Sequence, residues 1–289
     1  MVCVIPVQAA LAAPLKLSWR RFAGGASHCD IDALQRPRDE KPATSGERRM
    51  SIETQEVTYT AGDTQAHGVL AVPAGHDKVP GVAIFADIMG LGKQTKAWGQ
   101  RIADELGYLA LAADVYGGGA SPKDFPEGMA WLNALLKNPD QLAARAGGAL
   151  KVLHAHPRCN GKVGAIGFCF GGSTVLAIVR DGNPDLAAGV SFHGGLQTNK
   201  RAQKGKVPAK VLVLTGAEDP MVTHDHIADF LNEMRDAEAD CQTIAYTGAV
   251  HSFTNPDADG RMMPGIKFHE PTNRRSWQAM KTHFEEVFA

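Results

Sequence analysis

The segment GAIGFCFGGST, residues 164–174, places Cys169 midway between Gly167 and Gly171. This spacing is the cysteine form of the G-x-S-x-G elbow, which holds a nucleophile on a sharp turn between a strand and a helix. The glycines leave room for a strained backbone, and a helix start favours a thiolate and offers an amide to a developing oxyanion. The alternative interpretation of Cys169 is a small buried hydrophobic residue, as most free cysteines are.

A nucleophile on such an elbow needs an acid and then a histidine later in the chain. Asp219 follows the predicted strand AKVLVLT, and His251 follows the predicted strand CQTIAYT. Both residues therefore lie past the carboxyl ends of strands, where reactive groups collect in doubly wound sheets. Glu218 is the alternative acid, but Pro220 stiffens the turn that carries Asp219 and favours the latter. The sequence predicts a triad of Cys169, Asp219 and His251.

Other reactive side chains fit catalytic roles less well. His193 ends the predicted strand LAAGVSF but precedes the candidate acid, so we expect it to line the pocket or to be a structural histidine. His154, His156 and Cys159 lack the spacing of metal ligands. The stretch GLGKQT matches a P-loop only in part, because Asp87 stands where a glycine is required. We expect neither a metal nor a cofactor.

The elements that must position these residues alternate between strands and helices. A β-rich pair, IETQEVTYT and AHGVLAVP, comes first. Buried strands such as GVAIFA, YLALAAD and KVGAIG then alternate with helical stretches such as TKAWGQRIADEL, up to a last helix RRSWQAMKTHFEEVF. Strands joined by helices pair in parallel through right-handed crossovers, with helices on both faces. The sequence predicts an α/β fold with a doubly wound, mostly parallel sheet, in one domain over residues 50–289.

The composition indicates the class of partner. The chain has 289 residues, of which 44% are apolar and 21% charged, as in ordinary globular proteins. With 30 basic and 31 acidic side chains, it has no excess charge for nucleic acid or an anionic membrane, and a small, roughly neutral molecule is the expected partner. The five cysteines are odd in number and lack C-x-x-C spacing, so we expect a reducing, cytoplasmic compartment. The sequence indicates no oligomeric state.

Residues 1–49 are expected to form an extension outside this domain. The apolar start VCVIPVQAALAAPL has no basic residue before it and is interrupted by Pro6, unlike a signal peptide, and it is too short to span a bilayer. The polar stretch QRPRDEKPATSGERR follows without periodicity and buries too little apolar surface to offset its ordering entropy. Met50 opens the first segment with a folded pattern and is a candidate start of the natural product.

Taken together, these motifs resemble the dienelactone hydrolases, also called carboxymethylenebutenolidases, a family of α/β-hydrolases. The shared motifs are D-I-M-G, G-Y, D-x-Y, G-K-V-G, G-x-C-x-G-G, G-x-x-D and H-S-F, in that order over residues 50–289. The resemblance implies the α/β-hydrolase fold, the triad named above and an oxyanion hole formed by the amides of Phe170 and Ile88. It also implies an accessory role for the residue before Ile88, where the family has Glu and this chain has Asp87, one methylene shorter.

The resemblance implies hydrolysis of a small ester or lactone through a cysteine acyl-enzyme. Family members that bind carboxylated lactones use arginines, one of them shortly after the triad histidine, where this chain reads SFTN. A buried carboxylate without a cationic partner is costly to bind, so we expect an uncharged ester or one placed differently in the site. Candidate pocket residues are Tyr116, Trp131, His193 and Phe253.

Other functions stay open on the sequence alone. A thiol at a helix start also suits a peroxide sensor, and the same fold can serve as a non-catalytic ligand-binding protein. A thioesterase or an amidase is the nearer alternative among enzymes. Multiple turnover of an ester separates a hydrolase from a sensor, and a substrate panel separates the hydrolases from one another.

Overall fold

The computed structural model describes residues 52–261 and 263–289 of the chain. Eight strands form one sheet in this part of the chain. In chain order they are β1 (Glu53–Ala61), β2 (Thr64–Val72), β3 (Val79–Phe85), β4 (Leu109–Ala113), β5 (Cys159–Phe168), β6 (Ala188–Phe192), β7 (Lys210–Gly216) and β8 (Cys241–Tyr246). The expected extension, residues 1–49, lies outside the described residues, so its role stays a prediction.

Strand pairing is antiparallel at one edge of the sheet and parallel elsewhere. The strand order is β1-β2-β4-β3-β5-β6-β7-β8. β2 pairs antiparallel with both β1 and β4, and every other neighbouring pair is parallel. β4 is buried over its whole length, which explains why its sequence is a continuous apolar run. The predicted doubly wound, mostly parallel sheet is confirmed.

Helices in the described part of the chain cover both faces of this sheet. They are α1 (Lys93–Glu105), α2 (Phe125–Leu136), α3 (Pro139–Ala155), α4 (Phe170–Asp181), α5 (His224–Asp236) and α6 (Glu270–Phe288). On one face, α1 and α6 contribute Trp98, Trp277 and Phe284 to an aromatic core. On the other face, α3 and α4 contribute aliphatic residues such as Leu150 and Val175. None of these helices combines the length and apolar character that a bilayer crossing needs.

Parallel pairing brings the carboxyl ends of several strands to one edge of the sheet. Ile88 follows β3, and Cys169 directly follows β5. Asp219 follows β7, and His251 follows β8. Because β3, β5, β6, β7 and β8 are consecutive neighbours in the sheet, these residues collect at the same edge although they are far apart in the chain.

Close packing between β3, β5 and the start of α4 requires glycine at two positions. A Cβ added at Gly171 would lie 2.1 Å from the carbonyl oxygen of Phe85. A Cβ added at Gly167 would lie 2.0 Å from the carbonyl oxygen of Gly171. Such distances are far inside van der Waals contact, so a side chain at Gly171 would push α4 away from β3, and one at Gly167 would push it away from β5. The two glycines around Cys169 therefore keep α4 against the sheet.

Gly171→Ala is expected to destabilise the fold by about 3 kcal/mol or more, because the added methyl collides with backbone atoms. Gly99→Ala is the matched control, since Gly99 also lies inside a helix but its Cβ would meet Ile84 Cδ1 at an ordinary 3.5 Å. The control should be neutral or stabilising by up to about 1 kcal/mol. Urea unfolding followed by circular dichroism measures both variants. Equal stability of the two would contradict this account of the contact between α4 and β3.

Candidate active site

Cys169 stands on a strained turn between β5 and α4. Its φ of 55° and ψ of −114° are rare for a residue other than glycine, and the residue is half-buried. Its N–H donates to the carbonyl oxygen of Phe192 at 3.0 Å and to Nδ1 of His193 at 3.1 Å. Both acceptors lie at the end of β6, so this neighbouring strand holds the turn. Backbone strain of this kind is concentrated at functional sites.

Asp219 and His251 form a buried, hydrogen-bonded pair. Nδ1 of His251 donates to Oδ2 of Asp219 at 2.8 Å, and Oδ1 of Asp219 accepts from the N–H of Met221 at 2.8 Å. The His251 and Asp219 side chains are 4% and 0% exposed, whereas the alternative acid Glu218 is exposed to solvent. Nε2 of His251 is buried and has no hydrogen-bond partner among the described residues. It is therefore the atom that can take a proton from a thiol.

Charge couples His251 to Cys169. Burial alone lowers the pKa of His251, but the adjacent Cys169 sulfur and the Asp219 carboxylate act against burial, and together they raise the pKa of His251 to about 10. Beside a thiolate, the imidazole therefore keeps a second proton through neutral pH. The structure brings all three residues of the predicted triad into one interacting group.

Tyr116 contacts both segments that carry the predicted oxyanion donors, the amides of Ile88 and Phe170. The Tyr116 hydroxyl donates to the carbonyl oxygen of Ile88 at 2.9 Å, and its ring stacks on that of Phe170 with centroids 5.6 Å apart. Trp131 packs edge-on against the Tyr116 ring at 5.1 Å. Within the described chain, the amides of Ile88 and Phe170 donate to no other protein group, so they are free to stabilise an oxyanion. Two candidate pocket residues, Tyr116 and Trp131, thus lie beside these donors.

The Asp87 side chain forms a hydrogen bond within its own loop. Its Oδ1 accepts from the N–H of Met89 at 2.9 Å. Burial raises the pKa of Asp87, and this hydrogen bond and the positive charge of His251 oppose the rise. The carboxyl group is therefore near the triad.

His193 and Phe253 are buried behind the triad histidine. They are 2% and 0% exposed. The His193 ring lies 5.1 Å from that of His251 between centroids, and Phe253 packs edge-on against it at 5.0 Å. Nε2 of His193 is 2.8 Å from Oγ1 of Thr254. Both side chains are therefore enclosed by protein, and a role for them in the substrate pocket stays a prediction. Thr254 was missed, since no sequence pattern joins it to His193.

A groove of about 590 Å³ opens beside the loop that carries His251. Its walls include Phe125, Asn255, Asp257, Asp259, Met263 and Ile266. The His251 N–H donates to the carbonyl oxygen of Gly265 at 3.0 Å, and the Lys267 N–H donates back to the His251 carbonyl oxygen at 3.0 Å. These bonds fix one groove wall to the triad histidine. Sequence reasoning missed the groove, because its walls come from an irregular loop and from the first residue of α2.

The arrangement suits acyl transfer. It combines a thiol, a buried base oriented by a carboxylate, and two unpaired amides at one edge of the sheet. In the part of the chain that the structure covers, no group of three or more His, Cys, Asp or Glu side chains could hold a metal ion.

The chain is similar to known proteins over most of its length. Residues 66–288 match the model of the dienelactone hydrolase family. A relative from Yersinia pestis, provisionally named a carboxymethylenebutenolidase, is 28% identical over 256 residues, which cover 81% of this chain and 89% of the relative.

Two solved structures match 82% of this chain and 99% of their own length. The protein m3DLH is 38% identical with a TM-score of 0.78. A dienelactone hydrolase-like promiscuous phosphotriesterase from metagenomic libraries is 35% identical with a TM-score of 0.77. The α/β-hydrolase fold that the sequence resemblance implied is confirmed.

Iodoacetamide is expected to alkylate Cys169 rapidly at neutral pH, because the buried, unpartnered Nε2 of His251 can take the thiol proton. In His251→Asn the rate at neutral pH should fall about 10-fold or more and should climb with pH. Cys241 is the internal control, because burial raises the pKa of its thiol to about 12. Mass mapping of labelled peptides measures each rate. Equal Cys169 rates in the two proteins would rule out the coupling.

Proposed function

Since this chain belongs to the dienelactone hydrolase family and is a hydrolase of that kind, we propose that it cleaves small uncharged esters or lactones through an acyl-enzyme on Cys169. The observation that carries the proposal is the grouping of a strained thiol with the buried pair of Asp219 and His251. Two unpaired amides lie in adjacent segments. A nucleophile, a base, an orienting acid and oxyanion donors are the parts that acyl transfer requires.

Acylation begins when Nε2 of His251 takes the thiol proton and the Cys169 sulfur attacks the ester carbonyl carbon. The carbonyl oxygen becomes an oxyanion, which the amides of Ile88 and Phe170 stabilise. When the ester C–O bond breaks, His251 gives its proton to the leaving alkoxide, which departs as an alcohol. Asp219 keeps the imidazole oriented and offsets its positive charge throughout.

Deacylation uses the same groups in the second half of the reaction. His251 takes a proton from water as the water oxygen attacks the thioester carbonyl, and the two amides stabilise a second oxyanion. Collapse of this intermediate breaks the C–S bond, releases the carboxylic acid and regenerates the thiolate beside protonated His251. With a lactone, the alcohol and the acid are two ends of one product molecule.

The charges around the site support an uncharged substrate. The groove is largely apolar at Phe125, Met263 and Ile266, and its charged lining includes Asp257 and Asp259. Arg261, which also lines the groove, forms an ion pair with Asp259 at 3.2 Å. A substrate carboxylate bound in this groove would therefore meet two acidic side chains and an arginine that is already paired with one of them.

A second candidate activity is cleavage of neutral phosphotriesters. The groove lining, with Asp257, Asp259 and apolar side chains, favours this uncharged class as well, and one similar solved structure is a promiscuous phosphotriesterase. The Cys169 sulfur would attack phosphorus and form an S–P bond, while the P–O bond to the leaving aryloxide breaks. Water activated by His251 would then cleave the S–P bond and release a phosphodiester.

Cys169→Ala is expected to abolish turnover of 4-nitrophenyl acetate, with a loss of about 10³-fold or more, because the variant has no nucleophile. Cys241→Ala is the matched control: it removes another half-buried thiol, outside the site, and should keep full activity. Release of 4-nitrophenolate gives the rates, and intact mass after rapid quenching should detect an acetylated native enzyme. Thermal unfolding shows whether each variant is folded.

The outcomes separate the rival functions. Turnover by a folded Cys169→Ala variant would remove the assignment of the nucleophile. A native protein that is alkylated at Cys169 but shows no multiple turnover of any ester would be a sensor or a binding protein. Faster turnover of thioesters or amides than of the matched esters would indicate a thioesterase or an amidase. Paraoxon turnover that depends on Cys169 would establish the second activity.

The preference for uncharged substrates can be tested with two esters of similar size. 4-Nitrophenyl butyrate should be hydrolysed with a kcat/KM about 10-fold or more above that of mono-4-nitrophenyl succinate, which carries a terminal carboxylate. Asn255→Arg places a cation in the groove wall and should bring the kcat/KM values of the two esters closer together. The control Asn255→Gln should leave their ratio unchanged. Equal kcat/KM values for the two esters in the native protein would contradict the proposed substrate class.

A further inference from the structure

We propose that His193 positions the nucleophile and the base relative to each other, by joining the Cys169 turn to the loop of His251 through one imidazole ring. This role rests on the proposed function, since it requires Cys169 and His251 to react together. His193 is buried behind His251 and is a positioning residue rather than a catalytic one.

The two nitrogens of His193 serve two different segments. Nδ1 accepts the N–H of Cys169 at 3.1 Å, so Nδ1 carries no proton. In the neutral ring the proton is then on Nε2, which donates to Oγ1 of Thr254 at 2.8 Å. Thr254 is 3% exposed and belongs to the loop that begins at His251. One ring therefore holds both the amide of the nucleophile and the segment that carries the base.

His193 is itself held on several sides. Its N–H donates to the carbonyl oxygen of Leu214 at 2.8 Å, which ties it to β7. The rings of Phe253 and Phe168 lie 5.0 Å and 6.2 Å from the His193 ring. A side chain whose rotamer is locked by packing can fix the residues that it bonds, instead of following their motion.

Both segments that His193 joins are strained. Cys169 has a φ of 55°, and Ser252, next to His251, has a φ of 56°. Such conformations persist only where the surrounding structure imposes them. His193 contacts the Cys169 amide directly and reaches the His251 loop through Thr254. Without His193, the Cys169 N–H would keep only its bond to the Phe192 carbonyl oxygen and Thr254 would lose its partner, so we expect the sulfur to shift relative to Nε2 of His251.

The link requires a neutral ring. Burial, followed by the positive charge of His251, holds the pKa of His193 well below its usual range. A protonated ring would turn an Nδ1–H toward the N–H of Cys169, which places two donors face to face. It would also place a second positive charge in a ring 5.1 Å from that of His251. His193 is thus a fixed, uncharged link beside a base whose charge changes in every cycle.

Variants at position 193 separate the two hydrogen bonds. His193→Phe removes both, His193→Asn keeps an acceptor near the position of Nδ1, and His193→Gln keeps a donor near that of Nε2. The matched control is His283→Phe, because His283 is also buried, at 5% exposure, and its Nε2 lies 3.3 Å from the carbonyl oxygen of Lys210, outside the site. The measurements are kcat and KM for 4-nitrophenyl acetate, the rate of Cys169 alkylation by iodoacetamide, and the thermal midpoint.

His193→Phe is expected to lower kcat and the alkylation rate by about 10²-fold while KM changes by less than about threefold, because a shift of about 1 Å between reacting groups has effects of this size. His193→Asn should recover both rates to within about 10-fold of the native values, since it keeps the bond to Cys169. His283→Phe should lower the thermal midpoint without lowering kcat.

Thr254 provides a second test that leaves His193 in place. Thr254→Val removes the hydroxyl and should lower kcat about 10-fold, whereas Thr254→Ser keeps the hydroxyl and should retain activity. In the His193→Phe background, Thr254→Val should have no further effect, because the two residues act through one link. This pair keeps the proposal testable if His193→Phe does not fold.

Native-like kcat and alkylation rates in folded His193→Phe would overturn the proposal, as would equal losses of kcat in His283→Phe. Additive effects of the Thr254 and His193 substitutions would also overturn it. The proposed function fails differently, when the native protein hydrolyses no ester or Cys169→Ala hydrolyses it equally well. In that case the alkylation rates of the His193 variants still decide whether His193 positions the thiol.

Discussion

The close contact between the start of α4 and the end of β3 determines where the reacting groups lie. Gly171 lets the helix approach the carbonyl group of Phe85 to a distance that leaves no space for a Cβ. This approach forces Cys169 into its strained turn and brings the Phe170 amide beside the loop that carries Ile88. The sheet then supplies the other groups, since its parallel strands end at the same edge.

His193 and His251 are both buried, but their different hydrogen-bond and charge partners shift their pKa values in opposite directions. Burial alone lowers the pKa of both rings. His251 has the Cys169 sulfur and the Asp219 carboxylate as neighbours, and these raise its pKa to about 10. His193 accepts a backbone N–H and faces the positive charge of His251, so its pKa stays well below the usual range. His251 can therefore carry a proton while the neighbouring His193 ring stays uncharged.

The sequence was sufficient to predict the sheet, its antiparallel start and most helix positions, because alternating apolar patterns report burial directly. It also placed Asp219 and His251 after the correct strands, since parallel topology determines which loops meet. The first turn of α6 was missed: the helix begins at Glu270, ahead of the predicted RRSWQ segment, with Pro271 in its first turn. The bond between His193 and Thr254 joins two irregular loops, and no periodic pattern encodes such a contact.

The position of Asp87 connects the resting thiol to the choice of substrate. Oδ1 of Asp87 accepts from Met89, so this shorter acid braces the loop that presents the Ile88 amide. Positive charge beside the Cys169 sulfur comes from His251, whose pKa the sulfur and the Asp219 carboxylate raise to about 10. An uncharged ester can approach these groups without losing the hydration of an ion.

Negative charge then develops on the substrate only as the sulfur attacks, at the carbonyl oxygen that the Ile88 and Phe170 amides face in the proposed mechanism. Apolar contacts in the groove contribute to binding in the ground state and the transition state alike. The two amides act mainly in the transition state, and interactions of that kind raise kcat. Under the proposed function, such a site would discriminate against anionic substrates at the binding step and keep its electrostatic stabilisation for the chemical step.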